Sequence, residues 1–309
     1  MSPSSDNLRF GFLCAIGAQI CWGLFPIYVY FLKSIDAFDF VAHRILWSFS
    51  LLIVALFFKS NLPALRKIQW IPSAEVAKET LKSWRILFVL LFASAMIVTN
   101  WLLFVWSVMH DHPIDASLGY YLCPQVVVLF GVFLFKEKLT TNQWVGVSIV
   151  AAGVAFMFVT SSGMPILSLA IAVSFGLYAA TKKKLKLPAL DGLTFETGFL
   201  FLPAICYVVY RSIHGDAIWS PDWVLNVLLI LCGLATITPL ALYAEGLKHI
   251  RLSTMGLLQF IGPTIQFFLG LFYFQEPFNG SRFLGFLICW TGIGLFLVDL
   301  LKRRKKLSS

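Results

Sequence analysis

The chain alternates long apolar stretches with short polar breaks, and the length of the stretches decides the fold class. A helix that crosses lipid needs about 20 mainly apolar residues. Ten stretches approach that length: 10–31, 38–58, 86–109, 116–135, 142–160, 165–180, 193–210, 223–245, 253–274 and 282–300. The pattern predicts an all-α membrane protein with ten transmembrane helices. The 165–180 stretch is short and polar at its end, so nine spans is the alternative.

Composition agrees. Of 309 residues, 59% are hydrophobic and 13% charged, where a soluble domain carries about 25% charged residues. That is too little polar surface to coat a soluble enzyme. The net charge of +9 raises the question of nucleic acid, but most of the 30 Phe and 10 Trp fall inside apolar runs. They are not interleaved with a water-facing basic stripe, as nucleic-acid binding would require, and no nucleic-acid partner is expected. The lipid bilayer is.

The charges also test the span count, because cytoplasmic loops collect Lys and Arg. With ten spans and an inside N-terminus, 20 of the 24 basic residues fall on one side, and only Lys33, Arg44, Arg211 and Arg282 remain for the other. Removing a span would invert everything after it. Both termini are therefore expected in the cytoplasm. The Lys182-Lys183-Lys184 and Lys302 to Lys306 runs read as topology signals, with binding of anionic lipid headgroups as the alternative. The six cysteines lie in apolar segments without a C-x-x-C pair or an adjacent His, so they read as packing residues, and no metal or cofactor is expected. The first apolar run lacks a signal-peptide pattern and is expected to stay as the first span.

Sliding the sequence on itself until Pro124 meets Pro263 aligns 124–159 with 263–298 without a gap. In that register Gly131 meets Gly270, Glu137 meets Glu276, Gly146 meets Gly285 and Gly153 meets Gly292. Trp22-Gly23-Leu24 likewise resembles Phe175-Gly176-Leu177, and Ala116-Ser117 resembles Ser253-Thr254. The expected organisation is a short N-terminus (1–9), two five-helix repeats (10–160 and 161–300) and a basic tail (301–309). Five is odd, so the second unit would enter the membrane upside down. Inverted repeats of this kind build secondary transporters with a midplane site between the units; that step is analogy from architecture.

Particular motifs also carry a family resemblance. His43-Arg44-Ile45-Leu46-Trp47-Ser48, Asn100-Trp101-Leu102-Leu103-Phe104, Ala116 to Tyr121, Arg251 to Gly256 and Gln259 to Thr264 resemble the RarD group of EamA-type carriers in the drug/metabolite transporter superfamily. The resemblance runs from Gly11 to about Asp299. It implies ten helices in two EamA repeats in a bacterial inner membrane, and a family name attached to chloramphenicol sensitivity. One departure is Cys123 before Pro124, where the family pattern leads one to expect Asn.

Polar groups inside lipid are costly and usually face the bundle interior or a water-filled path. Gln19, Trp22, Pro26 and Tyr30 share a helical stripe in span one, as do Gly256, Gln259, Pro263 and Gln266 in span nine. Span three aligns Asn100, Phe104 and Ser107; span four brings Ser117, Tyr120, Tyr121 and Pro124 within two turns. With Tyr28, Tyr178 and Arg44, these polar and aromatic groups are the candidate solute-binding set. The alternative is interhelical bridging. Aromatic rings and amides suit small amphipathic solutes better than bare ions. Pro124 and Pro263 are the hinge candidates, with fixed helix curvature as the other reading. Arg44 would attract an anionic solute, pair with Asp36 or Asp39, or snorkel to the interface. His43, Glu196 and Glu245 are the candidates for proton coupling, Glu245 being close enough to Lys248 and Arg251 for a structural ion pair.

These features favour a secondary carrier, acting as monomer or homodimer, that moves small organic solutes by alternating access, with export as the expected direction and uptake of a small metabolite as the alternative. No G-x-x-x-x-G-K-[ST] motif is found, so the energy source would be a gradient or none. An intramembrane enzyme is the alternative class, although no H-E-x-x-H or G-x-S-x-G motif is found, and a channel is the third. His110 and His112 flank Asp111 and read as an outer loop.

Overall fold

The computed structural model describes residues 5–62, 71–109, 113–160, 165–185, 187–214, 222–275 and 280–308. Regular structure among them is helical throughout: α1 Ser5–Phe31, α2 Ala37–Asn61, α3 Ala74–Leu81, α4 Trp84–Met109, α5 Pro113–Phe135, α6 Thr141–Val159, α7 Pro165–Lys184, α8 Ala189–Ile213, α9 Trp223–His249, α10 Leu252–Leu258, α11 Ile261–Phe272 and α12 Gly280–Ser308. Ten segments are long and apolar enough to cross a membrane, with α10 and α11 together forming the ninth and α3 standing outside the set. The helical form follows from the solvent, since a helix satisfies its backbone hydrogen bonds internally where lipid offers none. The short sixth stretch is a full span, because α7 continues through Lys182, Lys183 and Lys184 instead of ending before them.

The start of α1 and the later part of α12 lie at one end of the bundle. Gly11, early in α1, abuts His249 and Ile250 at the end of α9. Close by in the chain, Glu137 accepts from the backbone nitrogens of Leu252 and Ser253, and Thr140 Oγ1 donates to Asp299 of α12 at 2.9 Å. Ten crossings return the chain to the side it started from.

The two units pack reciprocally. Span one (α1) lies on span eight (α9), and span six (α7) lies on span three (α4); α5 packs on α7 as α1 packs on α10 and α11. The α6–α12 contact is the clearest case. Gly146 faces Gly292 and Gly153 faces Gly285, so the helices run antiparallel. The register that sets Pro124 on Pro263 exchanges these two glycine pairs, which is the relation an inverted repeat requires. A Cβ on Gly146 would lie 2.7 Å from the Gly292 carbonyl oxygen, and one on Gly292 would lie 2.5 Å from that of Gly146. Only glycine admits this approach. Among the described residues, the two non-glycine residues with positive φ, Lys136 and Gln275 (both 53°), match in the same register.

The matched prolines differ. Span nine breaks at Gln259 and Phe260, where Pro263 has no N–H to return to the Gln259 carbonyl. In contrast, α5 runs unbroken through Pro124. Pro26 similarly frees the Trp22 carbonyl, and Gln266 Nε2 donates to it from α11 at 3.0 Å.

Candidate functional site

Two repeat-equivalent pairs join neighbouring spans, the first at an exposed Phe104 and the second buried. On the first unit, Phe104 of α4 meets Tyr120 of α5 edge to face at 5.4 Å. On the second, Gln259 Nε2 donates to the hydroxyl of Tyr243 on α9; the repeat register sets Tyr243 on Phe104 and Gln259 on Tyr120. Asn100 ties the first pair to α7: its Nδ2 donates to the Ile171 carbonyl at 2.8 Å, and its Oδ1 accepts from Tyr120 at 3.3 Å. Trp22 of α1 lies 5.4 Å from Tyr243 and 6.0 Å from Phe175, so rings from α1, α7 and α9 meet. Gln19 and Gln259 are buried, yet Gln19 Nε2 and Gln259 Oε1 have no hydrogen-bond partner among the described residues. A buried polar atom left unpaired costs free energy, so these two amides are the poorly satisfied polar groups of this region.

Towards the end opposite the termini, Arg44 projects from α2 into an aromatic collar. Its guanidinium lies 4.4 Å from the Trp101 ring, 5.2 Å from Phe25 and 5.7 Å from Phe40. Nε donates to Thr236 Oγ1 of α9 at 3.0 Å. The expected pairing with Asp36 or Asp39 does not form, because both carboxylates are engaged elsewhere: Asp36 caps α2 by accepting from the backbone of Phe38 and Asp39. Asp39 accepts from Tyr207 at 3.0 Å and from Arg211 at 3.2 Å. Tyr28 donates from α1 to the Leu228 carbonyl near this collar.

The opposite pole is a closed ion pair. Lys182 Nζ lies 2.7 Å from Glu196 Oε1, and the Tyr178 hydroxyl donates to Oε2 at 3.3 Å. Both charged side chains are at most 5% exposed. Gly192 makes the room, since a Cβ there would lie 3.1 Å from Lys182 Nζ. The Lys182-Lys183-Lys184 run is thus not simply a loop signal: Lys182 is an internal counterion, and Lys183 donates to the Leu247 and Ile250 carbonyls at the end of α9, where a cation suits the helix terminus.

Other candidates stand apart. Gln266 is exposed and serves as the bridge to Trp22 described above. Tyr121 packs on Phe286 at 5.4 Å in a separate cluster between α5, α6, α10 and α12. Ser107 returns its hydroxyl to the Leu103 carbonyl of its own helix. Glu245 pairs with Lys248 at 2.6 Å and His249 at 3.2 Å. His43 is buried on α2, about 100° around the helix from Arg44. Ser117, Glu276, His110 and His112 lie outside the described side chains. Sequence reasoning misses Trp101, Thr236, Tyr243, Phe175 and Lys182. Thr236, Leu240 and Tyr243 form an i, i+4, i+7 stripe in α9, a signal that could have found two of them.

A ten-span helical bundle whose amides, tyrosines and arginine turn inward between two five-span units is a multi-pass integral membrane protein with a polar interior. The chain belongs to the EamA-like transporter family, whose model matches residues 9–159, essentially the first unit, and to its RarD group. It is 40% identical to "Uncharacterized transporter YojE" of Bacillus subtilis (strain 168) over 93% of both chains. It is 35% identical to "Protein RarD" of Streptomyces exfoliatus, over 98% of this chain and 93% of that one. A solved crystal structure shares the fold with a TM-score of 0.70 at 17% identity, covering 96% of this chain and 99% of the other. The protein is a membrane transporter of the drug/metabolite superfamily.

Proposed function

We propose that this chain is a bacterial inner-membrane secondary carrier that exports small amphipathic organic solutes by rocking its two inverted units against each other. The observation that carries this reading is the meeting of Trp22 of the first unit with Phe175 and Tyr243 of the second, where Gln259 donates to Tyr243, at the interface of the units. Inverted-repeat carriers hold their solutes at such an interface, beside interrupted helices, and span nine is interrupted at Gln259 itself. Rings supply apolar contact and stacking, while the amides of Asn100, Gln19 and Gln259 fix orientation. The bias of Lys and Arg towards the end carrying both termini supports a cytoplasmic location for that end.

Counterflow in proteoliposomes tests the reading. Saturable exchange marks a carrier, non-saturating flux a channel, and chemical conversion of the solute an enzyme. Asn100→Ala and Gln259→Ala should each depress exchange; if both leave its kinetics unchanged, the site is misplaced. Comparing right-side-out with inverted vesicles tests the direction.

A further inference from the structure

We propose that Arg44 and its aromatic collar form a carboxylate site, so that the solute is a small organic anion with an apolar body. This rests on the carrier reading above and names the chemistry of its solute.

The first argument is the charge left over. A guanidinium offers five N–H donors in a planar fork, and Arg44 commits one of them, Nε, to Thr236. Its terminal nitrogens have no hydrogen-bond partner among the described residues. The residue as a whole is only partly buried. No carboxylate among the described residues pairs with Arg44, and the two nearest in sequence, Asp36 and Asp39, are occupied. A cation held among three rings without a counterion is poorly compensated, because cation–π contact recovers only part of its lost hydration.

The second argument is the repeat. Arg44 is the eighth residue of α2, and Glu196 is the eighth residue of α8, the equivalent helix of the second unit. Asp39 and Asp191, each third in its helix, match in the same register. Each unit therefore sets an ionisable side chain at the same depth. Glu196 finds its counterion within the fold, in Lys182; Arg44 finds none among the described residues. The missing partner of Arg44 is an anion that comes and goes.

The third argument is geometry. Nε is the one guanidinium nitrogen bonded to Thr236, and the planar fork of terminal N–H groups matches the two oxygens of a carboxylate. Phe25 and Phe40 beside it favour an apolar body on the same molecule.

The test uses the full-length protein in detergent, titrated calorimetrically with benzoate, 3-phenylpropanoate and indole-3-acetate, each against its own primary amide. At least one acid should bind saturably and about tenfold or more tighter than its amide, a difference of about 1.4 kcal/mol or more. Arg44→Gln should erase that preference, Arg44→Lys should keep part of it, and Lys33→Gln, an exposed charge near the same end, should keep all of it. Equal affinity for acid and amide, absence of binding by every acid, or a preference that survives Arg44→Gln overturns the proposal. If Arg44→Gln does not fold, the acid-amide comparison on the unaltered protein decides alone. Counterflow separates this idea from the carrier reading. Acids that bind but never exchange refute the carrier and leave the site, whereas exchange of amides without acids refutes the site and leaves the carrier.

Discussion

Replacing Glu196 by Gln should destabilise the protein strongly, for a reason that also decides whether Glu196 carries protons. Lys182 and Glu196 lie 2.7 Å apart with their side chains 5% and 3% exposed. The substitution keeps the shape but removes the charge, leaving a buried ammonium with only a neutral amide before it. Removing one partner of a buried pair costs about 3–5 kcal/mol, since the survivor's desolvation is no longer offset. For a chain of this size that corresponds to a fall in unfolding temperature on the order of 10 °C. Thermal unfolding in detergent can be followed with a thiol-reactive dye, because Cys14, Cys123, Cys232 and Cys289 are buried and should react on unfolding. The double substitution Lys182→Met with Glu196→Leu should recover most of the loss, as apolar replacements of buried pairs commonly do. The opposite outcome is equally clear. If Glu196→Gln melts like the unaltered protein, still exchanges solute, and loses only accumulation driven by a proton gradient, then Glu196 is a proton carrier and the structural account fails.

Three further outcomes follow from the packing. Gly292→Val should lower the unfolding temperature by an amount equivalent to about 1–3 kcal/mol or more, because its first added atom meets the Gly146 carbonyl at 2.5 Å; Gly294→Val, with nothing within 4 Å of an added Cβ, should be near neutral in the same melt. Glu137→Ala removes a carboxylate that accepts from the Leu252 and Ser253 backbone and the Ser253 hydroxyl. It should cost about 1–3 kcal/mol and raise amide exchange at the start of α10. Gln266→Leu should cost about 1 kcal/mol by stripping the Trp22 carbonyl of its donor, yet leave counterflow unchanged, in contrast to Gln259→Ala.

The spans are legible because lipid sets a length that few other structures need, and the loop charges fix their number. The sixth reads short because three consecutive lysines look like the end of a span until Glu196, on the next helix, is seen to neutralise the first of them inside the bundle. The repeat is legible only where one offset serves. Spans three to five match spans eight to ten in the register of Pro124 on Pro263, but Arg44 and Glu196 stand farther apart than that register allows. The α2–α4 connection runs from Leu62 to Ser83 and holds α3, whereas the α8–α9 connection runs only from His214 to Asp222. The longer connection shifts the register, so a single slide of the sequence misses the match between Asp39 and Asp191 and between Arg44 and Glu196.

What no slide could reveal is how the two units divide their chemistry. Glycines that allow backbone contact repeat because both units need the same α6–α12 packing, and they persist as Gly146 with Gly285 and Gly153 with Gly292. Side chains away from that contact answer to a different constraint. Phe104 and Tyr120 on one side become Tyr243 and Gln259 on the other, and a cation at Arg44 becomes an anion at Glu196. If the equivalent charges had matched, a symmetric bundle would offer a solute the same surface at both poles. Because they oppose, and because one is closed by Lys182 while the other has no carboxylate partner among the described residues, the fold distinguishes its two ends chemically while repeating its α6–α12 glycine contact. That division separates the residues that shape the scaffold from those that give each end its own charge.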